Sequence, residues 1–384
     1  METPLSDDQR MIRDSVAGYL RDRYDDAERR RIIDSEAGWS APHWQAFAGE
    51  LGLLGAGFAE AAGGLGGGAA EHALILEEFG SALVVEPYLS TAVIAGGFLK
   101  ASTAAAAPQL IADAIAGTAI FAYAAGEPNA RSNPAHVETR AECRGANYVI
   151  DGQKAVVLGA VGATHLIVVA RTSGGDRDPE GISLFVVDAN SPGITRRDYR
   201  TISGGPASDI TFTGVTVPAS ALLVPEGTAL PLIERVVDEA TALLCAEANG
   251  VMRRLHGDTL AYTSQREQFG KPLASFQVLQ HRMVDMLVAM EHSQSITARA
   301  IELLDADPAE RARAVSAAKV YVGKSLRYIG QQAIQLHGGM GMTDELAVGF
   351  FFKRAIEIER QFGSVEYHLT RYTRLANAPA AIAA

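Results

Sequence analysis

Two segments of this chain hold the residue types that grip a dinucleotide. Arg266-Glu267-Gln268-Phe269-Gly270-Lys271-Pro272-Leu273, followed by Phe276-Gln277 and Gln280, closes a long helical stretch. Its guanidinium can hold a pyrophosphate through two parallel hydrogen bonds, and its aromatic ring can pack on a flat ring system. Taken alone, an Arg three residues before a Phe also reads as a helix-ending ion pair and a core phenylalanine, the commoner meaning of that spacing. The second segment, Gln335-Leu336-His337-Gly338-Gly339-Met340-Gly341, ends another long helix. Clustered glycines let a backbone approach a ligand closely, and Gln335 offers a donor and an acceptor to an adenine or ribose. A third run, Gly63-Gly64-Leu65-Gly66-Gly67-Gly68, contains no Lys-Ser/Thr and follows no strand. It is expected to be a turn shaped around a ligand pocket or a neighbouring helix rather than a phosphate loop. His256, His281, His292 and His368 show no spacing that converges on a metal, so no metal site is expected.

Three zones must position these residues. Residues 1–118 read as helical: Ser6-Asp7-Asp8-Gln9 is a capping box, and Leu5, Ile12, Val16 and Leu20 mark one face after it. Further helices are expected over 44–54 and 71–84. From 119 to 228 the texture turns to short β runs at 136–141, 148–150, 166–169, 182–187 and 210–217, with Asp151-Gly152 as a hairpin signal. Such spacing predicts a sandwich or barrel. From 229 to 384 the chain is helical, with periodic segments at 230–263, 275–304, 308–336 and 353–376 whose lengths and short connections predict a bundle. The expected class is α+β: an N-terminal helical domain, a central β-barrel or sandwich domain, and a C-terminal four-helix bundle.

The composition narrows the function. With 384 residues, 48% apolar and 21% charged, the chain can bury real cores, and no stretch approaches the ~20 uninterrupted apolar residues of a membrane span. A net charge of −11 opposes general nucleic-acid binding. The acidic, polar start lacks the basic and apolar regions of a secretory signal, and Cys143 and Cys245 form no metal or disulfide pattern, so a cytoplasmic protein is expected.

Together, the Arg266 and Gln335 segments, about seventy residues apart, resemble the ER-x-FG-x-P-L and Q-x-x-GG-x-G motifs of the acyl-CoA dehydrogenase family. The resemblance covers essentially the whole chain and implies that family's three-domain fold. It also implies that Arg266, Phe269, Gln335 and Gly339 hold the adenosine diphosphate half of FAD, bound mainly by the neighbouring subunit, so that the protein is at least a dimer.

The central zone departs from the family. Where a T-E-P-x-x-G-S-D stretch is usual, the chain has Gly126-Glu127-Pro128-Asn129-Ala130-Arg131-Ser132-Asn133: Ser132 is kept, and Arg131 replaces a glycine. The family's G-x-K-x-W-I-T/S-N strand becomes Gly152-Gln153-Lys154-Ala155-Val156-Val157-Leu158-Gly159, with Val156 for the flavin-packing Trp and Leu158 for the hydroxyl. The E-G-T segment carrying the family's base reads Phe362-Gly363-Ser364; Gly363 and Ser364 fit the flavin-contacting Gly-Thr, but Phe362 has no proton chemistry. The alternative base position, twenty-six residues before Arg266, is Ala240. Glu247 lies two turns beyond Ala240 on the same face, roughly 10 Å along the helix. In its apolar surroundings desolvation would raise a carboxyl pKa, as a general base requires; the alternative is a buried Glu paired with an Arg across the bundle. Glu239 serves only if the register is one residue off.

The resemblance implies an FAD-dependent acyl-CoA dehydrogenase that converts an acyl-CoA to the 2,3-enoyl-CoA and passes electrons to an electron-transfer flavoprotein. It implies a homo- or hetero-oligomer, dimer or tetramer. The losses at 156, 158 and 362 resemble one subunit of the α2β2 dehydrogenases that act on bulky acyl-CoAs such as steroid side chains. A non-catalytic subunit completing another chain's FAD site, and a flavin monooxygenase or oxidase on the same scaffold, are the alternatives.

Overall fold

The computed structural model describes residues 5–377. The helices are α1 (Asp7–Arg23), α2 (Asp26–Asp34), α3 (Ala41–Gln45), α4 (Ala69–Ala82), α5 (Gly96–Lys100), α6 (Ala107–Ile115), α7 (Leu230–Gln265), α8 (Gln277–Glu302), α9 (Pro308–His337), α10 (Val348–Arg360) and α11 (Val365–Ala376). The strands are β1 (Phe121–Ala124), β2 (Arg140–Arg144), β3 (Asn147–Leu158), β4 (His165–Arg171), β5 (Ile182–Asp188), β6 (Ile194–Arg200), β7 (Pro206–Pro218), β8 (Glu267–Gln268) and β9 (Lys271–Pro272). They divide into two compact units, one of Met1–Ala27, Ala73–Val84 and Thr241–Ala384, the other of Glu28–His72 and Val85–Ala240.

In the first unit α1 starts as the sequence predicts: the Ser6 hydroxyl accepts from the Gln9 amide while the Gln9 side chain accepts from the Ser6 amide. The long α7, α8 and α9 form the bundle with α10 and α11. Glycines let α4 cross α7 closely, since a Cβ at Gly250 would meet the Glu77 carbonyl oxygen at 1.8 Å and one at Gly80 the Glu247 carbonyl at 2.0 Å. Arg253 ties the crossing down through Glu77 and Glu78 at 2.7 and 2.8 Å.

The predicted helix 353–376 is two helices. Phe362 (φ 59°) and Gly363 (φ 115°) take left-handed conformations that break the i to i−4 ladder, and Ser364 restarts it by accepting from the Tyr367 amide as the cap of α11. Helical periodicity does not register such a break, because the apolar phase resumes on the far side.

In the second unit a seven-stranded sheet runs β1-β4-β2-β3-β7-β6, with β5 pairing β4. Its core is the inward face of those strands, with Ile150, Val168, Phe185, Ile210 and Phe212 nearly or fully buried. Asp151-Gly152 is not a hairpin: β3 runs straight through it with a register shift against β7, and the reversal between β2 and β3 falls at Gly145 (φ 69°). The Asp151 carboxylate accepts from the Gly214 amide across the sheet instead. β6 has no sequence signal because Ile-Thr-Arg-Arg-Asp-Tyr-Arg is an edge strand whose charges face water. The predicted strand at 136–141 begins only at Arg140, since the Glu138 and Thr139 amides donate to the Glu127 carboxylate. The predicted helix 44–54 shortens to α3, a wider turn over Ala46–Glu50 and a 3-10 turn at Leu53–Gly55.

The glycine run 63–68 is a packed turn. Amides of Gly64, Leu65 and Gly66 donate to the carbonyls of Ala59, Gly55 and Phe58, and a Cβ at Gly64 would strike the Phe58 carbonyl at 2.2 Å. With those amides used internally, this turn does not cradle phosphate. Among the described residues no helix is long and apolar enough to cross a membrane.

Candidate functional site

In the bundle unit the Arg266 segment follows the end of α7 and the Gln335 segment spans the end of α9. Glu267–Gln268 and Lys271–Pro272 pair as a two-stranded ribbon whose turn residues, Phe269 (φ 55°) and Gly270 (φ 77°), both have positive φ. That geometry prefers Asn-Gly, so a phenylalanine holds it under strain. The Phe269 ring is nevertheless 90% exposed. The Arg266 side chain is exposed and makes no ion pair with any described residue. At the end of α9, Gln335 and Gly339 are also exposed, and a Cβ at Gly339 would meet nothing within 4 Å.

Two aromatic rings bring these segments together. His337 is buried, its Nδ1 lies 2.8 Å from the Ala333 carbonyl, and its imidazole stacks on Tyr262 at 4.4 Å between centroids. Tyr262 also accepts the Arg266 amide at its carbonyl, 2.8 Å away. The stack thus links the turn before Arg266 to the turn after Gln335.

Glu247 on α7 is buried and in an ion pair. Nε of Arg354 on α10 donates to it at 2.7 Å, and Nη1 of the same guanidinium reaches Glu357 at 3.1 Å. Burial opposes the Arg354 charge, and the two carboxylates outweigh it, raising its pKa. Of the two alternatives for Glu247, the Arg pair across the bundle is the arrangement seen. The Glu247 carboxylate is thereby engaged by the half-buried Arg354 rather than open to a substrate. Ala240 is fully buried, and Glu239 is half-buried on α7.

The turn bearing Phe362 is heavily built. Lys319, buried on α9, donates to the carbonyls of Ile358 and Glu359 at 2.5 and 3.0 Å. Burial lowers its pKa to about 8. His368 on α11, also buried, places Nε2 at 3.0 Å from the Phe362 carbonyl. Burial, then the nearby Lys319, lowers its pKa to about 3, so it is neutral and donates to that carbonyl. The backbone frame of the turn is intact around a side chain without proton chemistry, and the Ser364 hydroxyl is engaged in capping α11 and in a bond to Glu366.

In the sheet unit, Ser132 is half-buried in the loop before β2, and Arg131 holds φ 50° where a glycine would be unstrained. Val156 has φ 55° and is 59% exposed, while Leu158 is half-buried. The two altered motifs are joined by an ion pair: Lys154 donates to Glu127 at 2.6 Å, both side chains essentially buried. Burial pulls the Lys154 ammonium down to about 8 against the pull of Glu127. Both residues stood in the motif segments, so their types were legible; Arg354, 107 residues from Glu247, carried no local signal.

Among the described residues, five non-glycines have positive φ: Leu83, Arg131, Val156, Phe269 and Phe362. Four of them lie in the segments singled out for chemistry. Strain of about 1–3 kcal/mol per residue survives where surrounding structure over-determines it, and it clusters at functional sites.

Family models match the chain over 6–118, 122–215 and 230–374 as the acyl-CoA dehydrogenase N-terminal, middle and C-terminal domains. A cyclohex-1-ene-1-carbonyl-CoA dehydrogenase of Geobacter metallireducens is 31% identical over 309 residues, 78% of this chain and 80% of the relative. This chain belongs to the acyl-CoA dehydrogenase family. The family is an oxidoreductase class that binds FAD. Among solved acyl-CoA dehydrogenase folds, the steroid ACAD Tcur3481-Tcur3483 is 26% identical, with a TM-score of 0.87 over 96% of this chain and 97% of that one. The ChsE4-ChsE5 complex from Mycobacterium tuberculosis shares the fold at 23% identity, with a TM-score of 0.88 over 99% of this chain and 100% of that one.

Proposed function

We propose that this chain is one subunit of a heteromeric, FAD-dependent acyl-CoA dehydrogenase that forms 2,3-enoyl-CoA from a bulky acyl-CoA, with a complete family member as its partner. The observation that carries this reading is the contrast between the two residue sets. Arg266, Phe269, Gln335 and Gly339 are present and exposed, and Arg266 has no ion-pair partner among the described residues, whereas the base position is Phe362 and Glu247 is engaged by Arg354.

The residues fit the adenosine diphosphate half of FAD. A guanidinium without an ion-pair partner among the described residues suits a pyrophosphate, an exposed ring suits a flat surface, and open space over Gly339 allows close backbone approach. When bound, FAD supplies the hydride acceptor for the acyl β-hydrogen. Arg266 would hold the pyrophosphate, Gln335 the adenosine polar edge, and Phe269 would exclude water from that end. Ser132, Gly363 and Ser364 are assigned to flavin or thioester contacts on the family pattern. The proton acceptor for the acyl α-hydrogen would come from the partner subunit, because this chain has no carboxylate free for it at 240, 247 or 362. A patch of apolar residues on one face of α8, Val284, Leu287 and Val288, is exposed and suits a subunit contact. The solved steroid ACAD and the ChsE4-ChsE5 complex support a bulky substrate and a two-chain assembly, and an electron-transfer flavoprotein is the proposed acceptor.

The test is purification of the chain alone and co-expressed with a complete family member from its own genome. Flavin and acyl-CoA-dependent flavin reduction appearing only with the partner support the reading. Full FAD occupancy and rapid reduction by the lone chain overturn it. Oxygen uptake in place of transfer to an artificial acceptor identifies an oxidase or monooxygenase instead.

A further inference from the structure

Between Lys154 and Val157 of β3 the register against β7 shifts, so that Ala155 and Val156 together face the single residue Asp209. This is a bulge of two residues against one, and it leaves amides that the ladder does not use. Both find other acceptors. The Ala155 amide donates to the Gly126 carbonyl at 2.8 Å, and the Val156 amide donates to Oδ1 of Asp209 at 3.1 Å. Tyr199, on β6, donates its hydroxyl to the same Oδ1 at 2.9 Å, and Arg197 donates to Oδ2 at 2.5 Å. The outcome is a β-branched residue at φ 55° whose 59% exposed side chain stands on the wall of a largely open concavity of about 510 Å³, lined also by Pro128, Ala155, Arg197, Tyr199 and Asp209.

A bulge re-aims the side chain it carries, and a valine in the left-handed region does not stay there unaided. We propose that Asp209 is a positioning residue: its carboxylate holds the Ala155–Val156 bulge, directs the side chain of residue 156 onto the wall of this concavity, and with Tyr199 and Arg197 sets the concavity's shape. Taking that wall as a surface presented to flavin or acyl group rests on the function proposed above; the direction of residue 156 does not.

The experiment uses the full chain with its partner and three substitutions. Asp209→Ala removes the acceptor, Asp209→Asn keeps an oxygen for the Val156 amide, and Val156→Trp puts a reporter on the bulge in each background, read as a difference against Trp39 and Trp44. In Asp209→Ala, hydrogen exchange across residues 153–158 should speed up by about 10- to 100-fold, the factor for one lost charge-assisted bond. The emission of the tryptophan at 156 should shift to the red as its ring leaves the wall of Pro128 and Tyr199. Asp209→Asn, which keeps a neutral bond to the Val156 amide, should restore the emission and a large part of the exchange protection. Exchange that speeds up without an emission shift reduces Asp209 to a fold-stabilising residue and overturns the proposal, as does exchange unchanged from the parent or a failed rescue by Asn. FAD content is measured on the same samples. A parent assembly without flavin defeats the proposed function and leaves the exchange and emission results standing.

Discussion

The imidazole of His337 lies stacked on the ring of Tyr262, centroids 4.4 Å apart and planes at 29°. That contact joins the C-terminal ends of α7, which leads into Arg266, and α9, whose last turn carries Gln335. Removing it in His337→Ala should lower stability by about 1–2 kcal/mol, the worth of an aromatic pair and one buried hydrogen bond. FAD affinity of the assembled protein should fall with it by up to about tenfold. Denaturant unfolding and FAD titration measure the two effects, and unchanged affinity would show that the stack does not align the gripping residues.

Arg266→Ala should leave the fold intact, since the side chain is exposed and makes no ion pair with any described residue. Loss of one charge-assisted contact to a pyrophosphate corresponds to about 1.5–3 kcal/mol, or one to two decades in FAD affinity. Binding of FMN, which has no adenosine half, should not change. Equal loss for both flavins would remove Arg266 from its assigned place.

Phe269→Asn should separate stability from binding. Asparagine tolerates the positive φ that Phe269 strains to hold, so the lone chain should gain up to about 1 kcal/mol. The assembled protein should meanwhile retain FAD less well. A variant that loses stability and keeps its flavin contradicts the assignment.

Glu247→Gln should act on stability rather than chemistry. It leaves the half-buried Arg354 with Glu357 alone, and losing one charged hydrogen-bond partner of a largely buried group is expected to destabilise by about 1–3 kcal/mol. Turnover per assembled site should stay within about threefold of the parent. A fall of 10² or more with flavin content intact would instead restore Glu247 as the general base.

Acid should unfold both units through buried histidines. His72 is fully buried; burial, then the nearby Lys100, lowers its pKa to about 3, and His368 is lowered to about 3 as well. Unfolded, each titrates near 6.5, so below that pH the unfolded chain binds more protons and stability falls. The loss should begin near pH 6.5 and continue toward pH 3, with a slope of up to about 1.4 kcal/mol per pH unit for each histidine. Chemical denaturation at pH 7, 6, 5 and 4 measures it. His72→Gln should flatten the slope, and an unaltered profile in that variant would show that His72 does not contribute.

The sequence by itself determined what local chemistry determines. Ser6 and Gln9 cap α1 because capping needs only neighbours three residues apart, and the long helices follow from apolar periodicity. The types at 266, 269, 335 and 339 were legible because a guanidinium, an aromatic ring, an amide and a bare backbone each show their chemistry in the residue type itself. Tertiary structure alone decided the rest. The continuity of β3 through Asp151-Gly152 depended on β7 offering a partner more than sixty residues away, and the break at Phe362 on carbonyls caught by Lys319 and His368. Whether Glu247 was a base or half of an ion pair turned on Arg354, 107 residues distant. Such pairings are chosen by packing: a buried charge must find its partner wherever the fold brings one, and no local pattern encodes which residue that will be.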